Sequence, residues 1–140
     1  MLGLDLVADS IDHGLTNLVI PSVLFTEYLE TGATESQFSR FERFSQRSNV
    51  QVVDVSSVVA RQARELRLRV KSEGFNLKSV DAIFIATALL YRVHQMHTFD
   101  RGMLRLDGQL AIPGQIRSLI VCRPGLSSGD AIMFPGILGP

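Results

Sequence analysis

The segment Asp81-Ala82-Ile83-Phe84-Ile85-Ala86-Thr87-Ala88-Leu89-Leu90 carries a single charge, at its first position. A helix that is apolar on almost every side has to be enclosed by other elements, so this chain must build layers around it. Ser79 is placed to cap its start. Because a core helix rarely begins with a gratuitous acid, Asp81 reads as a candidate for chemistry.

The rest of the chain supplies the layers. Leu2, Leu6 and Ile11 with a Gly14 stop predict a first helix, and Leu18 to Pro21 a buried strand. Next comes a helix from Ser22 to about Thr31-Gly32 with Glu27 in its first two turns, and then a helical stretch from Glu35 to Arg47. Val50 to Val55 is a β-branched strand, and Ser56 or Ser57 caps a helix running to Ser72 before Gly74. The apolar helix is expected to reach about Val93, followed by strands at Gln95 to Phe99 and Ser118 to Cys122. Strands alternating with helices in 140 residues predict one α/β domain with a mostly parallel sheet and helices on both faces.

Composition narrows the setting. Hydrophobic residues are 46% and charged residues 20%, with 14 basic and 14 acidic side chains, which excludes a disordered or strongly acidic chain. The one cysteine, Cys122, leaves no internal disulfide and fits a reducing, cytoplasmic compartment. No apolar run approaches the roughly 20 residues of a membrane helix, and no membrane partner is expected. Nucleophile elbow, phosphate-cradling glycine loop and dinucleotide fingerprint are all missing, and His94 and His97 are too irregularly placed for zinc.

Three acids, Glu27, Asp81 and Asp100, stand where a helix begins or a strand ends, and the carboxyl ends of strands are where open α/β sheets build their sites. Thr98 lies on the same side of its strand as Asp100, across Phe99. Each acid also has a purely structural reading: Asp81 as a favourable charge at a helix start, Asp100 as a turn residue and Glu27 on a solvated helix face.

The Ile20-Pro21 strand followed by a helix with Glu27, the helix opening at Asp81, and Thr98-Phe99-Asp100 together resemble the PIN-domain ribonucleases, in particular the toxin half of VapBC-type toxin–antitoxin pairs. The likeness covers roughly residues 5 to 122. It implies a PIN-like three-layer sandwich and Mg2+ or Mn2+ held by Asp81, Asp100 and Glu27 for hydrolysis of single-stranded RNA. Thr98 would hold a water or a phosphate oxygen, and Arg101 would steady the scissile phosphate. The expected partners are RNA, an antitoxin protein and a second copy of the chain. Proteins of this kind usually begin with a strand ending in Asp, which by resemblance is the central strand of the sheet. Here the N-terminal residues read as a later helix, so the chain reads as N-terminally truncated, with Asp5 as the one stand-in for the first acid.

Two helix faces carry further expectations. Val59, Ala63, Leu66 and Val70 form a buried stripe, while Arg61, Arg64, Arg67 and Lys71 form a basic row able to track an RNA backbone or simply to face solvent. Phe38, Phe41 and Phe44 either pack on the core or form a partner-binding face. From Arg123 to Pro140 the composition turns Pro/Gly-rich, as in a loosely attached tail; the alternative is that Ala131 to Phe134 fills the place of the missing strand. The function expected is a metal-dependent endoribonuclease acting as a toxin, and the rival is a catalytically inactive module that binds RNA or a protein.

Overall fold

The computed structural model describes residues 9–25 and 34–125, together with the backbone of 131–133. Asp5 and Glu27 therefore lie outside the described residues. Five strands, β1 (Asn17–Pro21), β2 (Val50–Val53), β3 (Gln95–His97), β4 (Ile120–Cys122) and β5 (Ala131–Met133), form one sheet in the order β2-β1-β5-β3-β4. Every pairing in it is parallel. Leu18, Val19 and Ile20 of β1 are all buried, as are Gln95, Met96 and His97 of β3. Consecutive strand residues point to opposite faces, so both faces of the sheet are covered, as an all-parallel sheet requires.

The helices that lie wholly within the described residues are α1 (Glu35–Ser45), α2 (Ser57–Ser72), α3 (Ser79–Leu90) and the single turn α4 (Arg101–Leu104). Thr34 and Gln37 form a capping box at the start of α1, and the Ser56 hydroxyl accepts from Val59 N to start α2. On α2 the predicted stripe of Val59, Ala63, Leu66 and Val70 is buried, and α2 packs along α3. Each of the larger side chains in that stripe contributes about 1.5–3 kcal/mol by leaving water. Gly74 ends the helix in the left-handed region that a glycine enters without strain.

Two boundaries differ from the sequence expectation. Ser79 is the first helical residue of α3, and the N-cap position is taken by Lys78, whose side chain makes no cap bond. The helix stops at Leu90, short of Val93, because Arg92 turns to φ 54° and Val93 N donates back to Ala88 O. On α1, Phe41 is buried, and Phe25 meets Phe38 and Phe41 edge-on at 6.1 and 5.0 Å, so these rings pack on the main core.

The central strand comes from the segment that composition marks as a tail. Ile132 of β5 lies opposite Leu18 of β1 and Gln95 of β3, and Met133 lies opposite Val19 and Met96. Among the described residues, β5 alone joins the β1–β2 half of the sheet to the β3–β4 half. The residues that follow, Phe134 to Pro140, include no Asp or Glu. The strand itself, Ala131–Met133, carries no carboxylate.

Candidate functional site

The site begins at the carboxyl end of β3. Thr98 is buried and its hydroxyl accepts from Asp100 N at 3.0 Å, closing a tight turn directly after the strand. Asp100 Oδ1 then accepts from Met103 N at 3.0 Å and so caps α4. Asp100 is thus the turn residue of its structural reading, and the cap engages one of its two carboxylate oxygens. The turn also needs Gly102: a Cβ there would stand 3.0 Å from Asp100 Oδ1 and 3.9 Å from the ring edge of Phe75.

Asp81 approaches from α3, in its first turn. Burial holds its carboxyl above the usual carboxylate range, the negative charge of Asp100 raises it further, and Lys78 opposes both. The two acids therefore share an electrostatic neighbourhood, although they stand nineteen residues apart in sequence. A half-buried carboxylate, Asp81, and an exposed one, Asp100, whose charges repel offer hard oxygen donors of the kind that a divalent cation relieves. Among the described residues no group of three or more His, Cys, Asp or Glu is placed to hold a metal. Glu27, expected as the third acid, lies outside them.

The other predicted residues divide. Thr98 is oriented toward the protein, accepting from Asp100 and lying 4.0 Å from the sulfur of Met103, so it acts on the site by positioning Asp100. Arg101 is exposed directly after Asp100. Arg61, Arg64, Arg67 and Lys71 are exposed along α2; Arg64 pairs with Glu65 at 2.9 Å, and Arg67 Nε donates to Leu77 O at 3.0 Å. Sequence reasoning missed Lys78 and Gly102. The glycine two residues beyond Asp100 was the available signal for the second, whereas Lys78 is identified only by its electrostatic effect on Asp81.

His97 is wholly buried, its Nε2 3.0 Å from Gln95 Oε1, and burial lowers its pKa to about 4, so it is neutral at neutral pH. Burial, helped by Asp107, raises the Cys122 thiol, which makes it a poor nucleophile. Among the described residues no helix is long and apolar enough to cross a membrane.

The sequence profile of the family described as PIN domain matches residues 4–109, more than half of the chain. No curated protein and no solved structure matches it.

Proposed function

The chain belongs to the PIN-domain family, a family of nuclease type, and from that premise we propose that it is a Mg2+- or Mn2+-dependent endoribonuclease, the toxin of a toxin–antitoxin pair. The observation that carries the reading is the pairing of Asp81 and Asp100, two carboxylates from separate elements close enough for the charge of exposed Asp100 to raise the half-buried Asp81. These two would hold the cation directly, with Glu27 assigned to the same ion. When bound, the ion supplies an activated water and neutralises charge on the phosphate.

The chain's own residues do the remaining work. Thr98 holds the Asp100 backbone, Met103 N holds one carboxylate oxygen in the space that Gly102 leaves, Arg101 meets the scissile phosphate, and Lys78 adds a positive charge beside Asp81. Arg64, Arg67 and Lys71 of α2 attract the RNA strand. An antitoxin protein and a second copy of the chain are proposed partners, acting in the cytoplasm.

The test is cleavage of a mixed RNA pool by the purified chain with and without Mn2+, beside Asp81→Asn. Metal-dependent cleavage that Asp81→Asn abolishes supports the enzyme. Folded protein that binds RNA and never cuts it supports the second reading, a non-catalytic RNA-binding module. That alternative is favoured by the described residues bringing no third acid to Asp81 and Asp100.

A further inference from the structure

We propose that the notch between α2 and the turn leading into α3 is a phosphate subsite that holds an internal phosphodiester of the same single RNA strand whose neighbouring linkage lies at Asp81 and Asp100. This deepens the ribonuclease reading and rests on it. The notch has a volume of about 210 Å³ and is lined by Arg64, Arg67, Leu68, Lys71, Asn76 and Leu77. Three of the six are cations and one is a side-chain amide, and none of the lining residues described is acidic.

Geometry separates this notch from a merely basic helix face. Arg67 is anchored through Nε to Leu77 O at 3.0 Å, which fixes its guanidinium across the mouth of the turn. A guanidinium held this way loses little further freedom when it meets a phosphate, and its planar fork suits the two oxygens of a diester. Arg61 belongs to the same row on α2 but does not line the notch, and neither does Arg69. Two surface arginines on the same helix therefore serve as internal controls.

The turn also links the notch to the acids. Leu77, which lines the notch, is four residues before Asp81, so the two backbone positions are at most about 14 Å apart. Phe75, in the same turn, reaches the Asp100–Gly102 loop. A strand pinned in the notch would pass exposed Lys78 on its way to the acid pair. Fixing one phosphate in this way sets which linkage reaches the acids, the positioning from which hydrolytic catalysis gains most.

The experiment is equilibrium binding of a fluorescein-labelled short single-stranded RNA to the full chain in EDTA, across a salt series, with 5′-hydroxyl and 5′-phosphate versions. Arg67→Gln and Lys71→Gln are each expected to weaken binding about tenfold and to reduce the slope of log K against log salt by about 0.7. Arg61→Gln and Arg69→Gln are expected to change affinity less than twofold, and the two RNA ends to bind alike. Among the described residues the Lys71 side chain makes no hydrogen bond that Lys71→Gln would take from the fold, so that variant carries the test if Arg67→Gln unfolds. Equal losses at all four positions, or none at Arg67 and Lys71, would overturn the notch, as would binding confined to the 5′-phosphorylated RNA. Mn2+-dependent cleavage, measured separately, reports on the ribonuclease reading: lost binding without cleavage sinks that reading while leaving a phosphate subsite, and cleavage with unchanged binding does the reverse.

Discussion

Replacing Ile132 by proline tests the central strand with one backbone atom. Ile132, like Met133, is paired on both sides, to Leu18 and to Gln95, so its N–H belongs to a ladder enclosed by the sheet. Proline removes that donor and strands a carbonyl on a neighbour whose surroundings are buried, Leu18 being 1% exposed. A lost hydrogen bond is worth about 0.5–1.5 kcal/mol net, and an orphaned buried acceptor adds about 1–3 kcal/mol. The expected loss is therefore about 2–4 kcal/mol, a large share of the roughly 5–15 kcal/mol that holds a domain of this size folded. In melting followed by circular dichroism that is a fall in Tm of about 6–12 °C. Truncation after Gly125 should do more, because β1 and β3 would then stand roughly 9.6 Å apart with two rows of unpaired backbone between them. If both variants melt with the intact chain, β5 does not hold the centre of the sheet, and the argument fails.

Other expectations concern the site and the core. Because the folded protein holds the Asp81 carboxyl above its unfolded value of 3.8, ionised Asp81 destabilises the fold at neutral pH. Asp81→Asn should accordingly raise Tm at pH 7, with a gain that shrinks as the pH falls toward 3.8; a constant gain would point to some cause other than charge. Mn2+ at about a hundred times its Kd should stabilise the chain by about 2.7 kcal/mol, and Asp81→Asn or Asp100→Asn should abolish this. Asparagine still caps α4, so Asp100→Asn separates the ligand role from the cap, and an undiminished Mn2+ shift in it would remove Asp100 from the site. His97 is depressed to about 4, so the unfolded chain binds more protons between pH 6.5 and 4. Stability from this group is full above pH 6.5 and drops by on the order of 3 kcal/mol as the pH falls to 4. His97→Gln should flatten that part of a urea-denaturation series, and an unaltered slope would refute the assignment.

Much of the architecture was legible locally. The stripe from Val59 to Val70, the Ser56 cap and the Gly74 stop define α2 from periodicity and end chemistry alone, and the apolar run after Asp81 required a buried helix. Boundaries were less legible where a tertiary turn overrode propensity, as when Arg92 adopts a left-handed conformation and ends α3 early. The candidate acids Asp81 and Asp100 could be chosen from their places at a helix start and a strand end. Their mutual effect could not, because it depends on how β3 and α3 come together.

The sequence by itself determined the α/β class, the buried faces of its helices and the acids and cations offered for chemistry, since each follows from side-chain type and local spacing. Only the tertiary structure decided that Ala131–Met133 lies between β1 and β3, that Thr98 serves Asp100, and that Arg67 closes a notch against Leu77. A three-residue strand has no period to read, and its place is set by which backbone edges lack partners once the rest of the sheet has formed. Nonlocal hydrogen bonding makes that choice, and no local pattern records it.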